Sequence, residues 1–101
     1  MSTYIIATVN PKPEHAAALE QALRQMVELT RKEPGNVRYD LFRETREGKG
    51  PVLHLYEIYV DRAAFDTHIA SAHFQAFRAK VGDWLIEPPE IRVVEELDVS
   101  A

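Results

Sequence analysis

The stretch EIYVDRAAFDTHIASAHFQAF, from Glu57 to Phe77, carries two of the four histidines in this chain, together with Glu57 and Tyr59. His68 and His73 fall within six positions of each other. An imidazole titrates near neutrality and can take or give a proton at physiological pH. His68 is read as the general base, because it shares a helix face with Phe65, Ile69 and Ala72, the side that must look at a sheet. Glu57 and Tyr59 are two apart on one strand and so share a face, and Tyr39 can point the same way from a neighbouring strand. Glu57 is the second catalytic candidate, placed to orient the histidine or to hold a substrate oxygen. Tyr39 and Tyr59 are candidates for binding substrate oxygens, and Phe65, Phe74, Phe77 and Trp84 for the aromatic walls. Each has a structural reading as well: a hydrogen-bonded core histidine, a Glu57 paired with an arginine, aromatic rings that only fill the core.

The other histidines carry less. His73 falls in the first turn after Ser71, where exposure or a structural hydrogen bond is expected. His15 is expected at the surface and His54 at a dimer face. A metal site from His68 and His73 is not expected, because a spacing of five is poor for one helical face, where three or four is wanted. Without cysteine, thiolate catalysis, thiolate metal sites and disulfides are excluded.

The elements that position these residues follow from pattern. Tyr4–Asn10, β-branched and apolar on both faces, reads as a central strand. A helix is predicted from about Pro13 to Lys32, with Leu19, Leu23, Met26 and Thr30, and Ala22 and Val27 beside them, as one apolar stripe and Glu20, Arg24, Glu28 and Arg31 on the other side. Pro34-Gly35-Asn36 turns the chain into a strand over Val37–Arg46. Glu47–Pro51 closes a hairpin with a strand over Val52–Val60. Asp61 is a helix N-cap for Arg62–Ala70, and Ser71 a second cap, so a break is predicted there. From Ala72 a new stripe of Phe74, Phe77, Val81 and Leu85 runs to Glu87-Pro88-Pro89. A last strand is predicted over Ile91–Val99.

A chain of 101 residues makes one domain, taken as 1–101. Its formal net charge of −4 argues against a nucleic-acid partner, which meets a basic face. No apolar run approaches the length of a membrane span, and the absence of cysteine and of a basic-then-apolar leader fits the cytoplasm. The order β-α-β-β-α-β predicts an α+β, ferredoxin-like antiparallel sheet with helices on one face. The other face would carry Ile6, Tyr56, Ile58 and Val60. A homodimer through this open face, sheet on sheet, is therefore expected.

Four segments in this order and spacing carry a family resemblance: Lys12-Pro13, EPGNVRYDLFR (Glu33–Arg43), LYEIYVD (Leu55–Asp61) and HIASAHFQAF (His68–Phe77). The chain resembles the antibiotic biosynthesis monooxygenase family of dimeric α/β-barrel proteins. That family often has proline where this chain has Ala72, in keeping with Ser71 as a cap. The resemblance implies a small oxygenase without metal or flavin, acting with O2 on a hydroquinone or an anthrone-like aromatic. The family's haem-degrading branch has asparagine, tryptophan and histidine where this chain has Ala7, His68 and Arg78, which argues against haem chemistry.

Triplet oxygen reacts slowly with closed-shell organic molecules, but an electron-rich phenolate or carbanion can pass it an electron directly. Such chemistry needs a dry aromatic pocket, a base, and groups that hold a developing oxyanion. Two other functions fit the same residues. One is isomerisation of a small carbonyl compound, whose phosphorylated form would want Arg43 or Arg78 near the cavity. The other is a non-catalytic dimer that binds a small ligand.

Overall fold

A computed structural model describes residues 1–100. Four strands form one antiparallel sheet: β1 (Thr3–Val9), β2 (Asn36–Glu44), β3 (Val52–Tyr59) and β4 (Glu90–Val94), in the order β2-β3-β1-β4. Between β1 and β2 lies α1 (Ala16–Thr30), preceded by a 3-10 turn over Pro13–His15. Between β3 and β4 lie α2 (Arg62–Ala70) and α3 (Ala72–Val81). This is the α+β, ferredoxin-like arrangement, with the helices on one side of the sheet.

The core sits between sheet and helices because period-2 and period-3.6 patterns meet there. Ile5, Ala7 and Val9 of β1 and Leu53 and Leu55 of β3 point inward, and Leu19, Ala22, Leu23 and Met26 of α1 cover them. Burying each of the larger side chains stabilises the fold by about 1.5–3 kcal/mol. The same alternation carries Glu57 and Tyr59 inward, since they follow Leu53 and Leu55 at even spacing along β3. The sheet stays open in one chain, with β2 and β4 as its edges. Ile6 and Phe42 on the outer face are exposed, and Tyr4, Tyr56 and Ile58 half-buried.

Both predicted caps are present. The Asp61 carboxylate accepts from the Ala64 N–H at 2.8 Å, and the Ser71 hydroxyl accepts from the Phe74 N–H at 3.2 Å. Ser71 is extended (φ −64°, ψ 152°), so α2 and α3 are separate helices.

Two boundaries depart from expectation. The second helical region ends at Val81, not near Glu87. Gly82 is a poor helix former, and beyond it the chain pairs with the strand-like segment after β1. Lys12 N–H donates to the Trp84 carbonyl at 2.8 Å and Ile86 N–H to the Asn10 carbonyl at 2.9 Å. The last strand ends at Val94, because only Glu90–Val94 has a partner, on β1.

Candidate active site

Beneath the helices lies a cavity of about 650 Å³, in the range of small-molecule sites. Ala7, Leu55 and Glu57 of the sheet form its floor, Phe65, Phe74 and Phe77 its helical wall, and Ile86, Pro88 and Ile91 its rim. The rim forms because the helices do not cover β4, so Ile91 faces inward yet stays 43% exposed.

His68 lines this cavity and is 1% exposed. Its ring is boxed by Tyr39, Tyr59, Phe65 and Phe74, with centroids 5.7, 5.4, 6.4 and 5.2 Å away. His68 Nδ1 lies 2.8 Å from Glu33 Oε2. An ionised carboxylate only accepts, so the proton is on Nδ1. That leaves Nε2 unprotonated and, among the described residues, without a protein partner. Burial pushes the His68 pKa below its ordinary value, against the opposing pull of Glu33, and His73 adds to the lowering. A neutral imidazole with a free Nε2 is a base ready to accept a proton.

Glu33 was not among the residues singled out by chemistry, and it is what orients His68. It also accepts from His73 Nε2 at 2.6 Å. One carboxylate oxygen thus bridges two histidines from different helices. The spacing argument against their convergence applies to one continuous helix. The extended Ser71 breaks that helix and turns His73 back toward Glu33. Gly35 brings the turn bearing Glu33 close to α2: a Cβ built at Gly35 would overlap the Ala64 Cβ. One signal in the sequence pointed to Glu33. A carboxylate just past the C-terminal end of a helix faces the negative end of the dipole, which is unfavourable without a cationic or hydrogen-bonding partner.

Glu57 is on the cavity floor, 4% exposed. Its carboxyl accepts from the Tyr59 hydroxyl at 2.7 Å, so its partner is a tyrosine, neither an arginine nor His68. Burial first and the charge of Glu33 second, against the opposing hydrogen bond from Tyr59, together raise its pKa to about 7. Near neutrality it can therefore either donate or accept. Tyr39 lines the cavity, whereas the buried Tyr59 supports Glu57 from outside the lining. Burial and Glu57 hold both phenols protonated.

Trp84 does not join the aromatic wall. It belongs to the 3-10 turn Gly82–Trp84 and stacks on His15 at 5.9 Å, because the helix that would have aimed it inward ends at Val81. His54 lies on the outer sheet face, bonded to Thr8 at 3.0 Å and Glu44 at 2.7 Å. Arg78 reaches the cavity edge, whereas Arg43 is held by Glu20 at 2.7 Å in a separate charged groove.

This fold and cavity place the chain among known proteins. The family model described as antibiotic biosynthesis monooxygenase matches residues 2–80, and the chain belongs to that family. It is 37% identical over 97 residues to the Mycobacterium tuberculosis protein named "Putative monooxygenase Rv0793", covering 96% of this chain and 93% of that one. It is 33% identical over 85 residues to "Putative monooxygenase YcnE" of Bacillus subtilis, covering 84% and 87%. The solved structure of the Mycobacterium tuberculosis protein superimposes with a TM-score of 0.90 over the full length of both chains, at 35% identity. A family structure from Nitrosomonas europaea gives a TM-score of 0.86 at 28% identity, covering 95% and 90%.

Proposed function

We propose that this protein is a monooxygenase that oxidises a small electron-rich aromatic, of hydroquinone or anthrone type, with O2. The observation that carries this reading is the free Nε2 of a neutral, carboxylate-oriented His68 in an aromatic cavity.

The aromatic substrate lies against Phe65, Phe74 and Phe77 and presents its acidic proton to His68 Nε2. Proton transfer leaves an electron-rich anion and an imidazolium, which the Glu33 carboxylate stabilises. Glu57 is the second polar group, holding a substrate oxygen. The anion passes one electron to O2, the two radicals combine into a C–O bond, and the imidazolium returns its proton to the peroxide. For an anthrone CH2, loss of water then leaves a carbonyl. The substrate supplies all four electrons that reduce O2, one oxygen atom ends in the ketone and the other in water, so the cycle needs no metal or flavin.

The test is turnover under 18O2 with mass spectrometry of the product. One 18O atom per new carbonyl is expected. No label in the product, or turnover unchanged under nitrogen, would overturn the reading.

A second reading rests on Arg78 at the cavity edge, which has no ion-pair partner among the described residues. An isomerase of a small phosphorylated carbonyl compound would use Arg78 for the phosphate and His68 for the proton. It predicts anaerobic turnover that depends on Arg78.

The assembly expected from the open sheet face belongs to the same proposal. Tyr4, Ile6, Tyr56, Ile58 and Phe42 form an apolar surface on the side without helices. A second copy packed sheet to sheet would cover it.

A further inference from the structure

We infer that Glu33, His68 and His73 form a binding site for one divalent first-row transition-metal ion of the zinc type. Their candidate ligand atoms, a carboxylate oxygen and two imidazole nitrogens, all lie within 4.8 Å of one another. Two imidazoles and a carboxylate are the donor set that suits zinc, iron, cobalt or nickel. The three residues come from separate elements: the turn after α1, the end of α2 and the start of α3. Folding itself therefore brings them together. Their side chains are 12%, 2% and 21% exposed, sheltered yet reachable from the His73 side.

In the metal-free protein the contacts at 2.8 and 2.6 Å are hydrogen bonds. Around a tetrahedral ion with bonds of about 2.0–2.1 Å, ligand atoms stand about 3.4 Å apart. The Glu33 carboxylate must then retreat by less than about 1 Å, and the two imidazole nitrogens, which stand within 4.8 Å of each other in the metal-free protein, must close to about 3.4 Å, through rotation of the three side chains. The ion takes the place of the two bridging protons. Each imidazole moves its proton to its other nitrogen, the carboxylate stays ionised, and water completes the coordination.

This exchange changes what the cavity meets. With Nδ1 on a metal, His68 carries its proton on Nε2 and offers a donor where the metal-free protein offers a base. The site thus has two states, of which only the metal-free one suits proton abstraction. Metal binding itself does not depend on the oxygen chemistry, because it is read on the resting protein.

The experiment titrates metal-stripped protein with Co(II), following its visible d–d absorption, and with Zn(II) by calorimetry. The variants are His73→Ala, Glu33→Gln and, as a surface control, His54→Gln. We expect one ion per chain and a low-coordinate Co(II) spectrum. Losing only an outer-sphere partner costs about 10–100-fold in metal affinity, so the first two variants should weaken binding by at least about 100-fold. His54→Gln should bind as the parent does. Far-UV circular dichroism checks that each variant is folded, and neither Glu33 nor His73 is a core side chain. An absence of stoichiometric binding by the parent would overturn the inference. So would binding that survives both His73→Ala and Glu33→Gln, or binding lost with His54→Gln.

Discussion

Glu33 and His68 are 35 positions apart in the chain and 2.8 Å apart in space. This contact fixes the histidine's tautomer and so decides which nitrogen meets the cavity. Glu33→Gln keeps the size but removes the charge. One amide oxygen can still accept from His68, yet it cannot stabilise an imidazolium. The variant should stay folded and lose about 10- to 100-fold in kcat/KM, measured from initial rates of oxygen uptake.

Glu57 gives a pH-dependent stability with a definite sign. Its folded pKa of about 7 lies above its ordinary 4.5, so the folded state holds the proton more tightly than the unfolded one. Its stabilisation is complete below about pH 4.5 and is lost as pH rises through about 7. The effect is on the order of 3 kcal/mol in total. Glu57→Gln, whose amide oxygen can still accept from Tyr59, removes this dependence. Relative to the parent it should gain stability between pH 5 and pH 8.5, as read from urea unfolding at both values.

The break at Ser71 can be tested from both sides. Ser71→Ala removes the cap on Phe74 N–H and should cost about 1 kcal/mol. Ala72→Pro places proline in the first turn of α3, after a residue already extended (φ −64°, ψ 152°). It should stabilise by about 0.4–1 kcal/mol. Thermal or urea unfolding distinguishes the two directions.

Most of the fold was legible in the sequence, because strand alternation and helical stripes are local. So were the two caps, which need only a short polar side chain before an apolar run. Glu33 was not, since its partners lie on two other elements and its own turn carries no periodicity. The aim of Trp84 is illegible for a related reason: the stripe through Phe77 and Val81 continues in pattern past Gly82, where pairing with Asn10–Lys12 takes over in the fold. The role of Glu57 was half legible. Alternation put it on the inner face, but only the folded chain shows that Tyr59, rather than His68 or an arginine, is its partner.

The outer sheet face leads to a prediction about assembly. Ile58 sits at its centre, on β3 between β1 and β2. Sedimentation velocity should show the parent as a dimer and Ile58→Lys as a folded monomer. A parent that sediments as a monomer at high concentration would oppose the sheet-to-sheet assembly.

His68 Nε2 is the base on which the proposed oxygenation depends. The most direct measurement is the rate of oxygen uptake with an anthrone substrate by metal-stripped parent and His68→Ala, each corrected for spontaneous oxidation. Catalysed uptake by the parent and a fall of about 10²- to 10⁴-fold in the variant, with its fold intact by circular dichroism, are expected. Catalysed uptake that His68→Ala leaves unchanged would contradict His68 as the base.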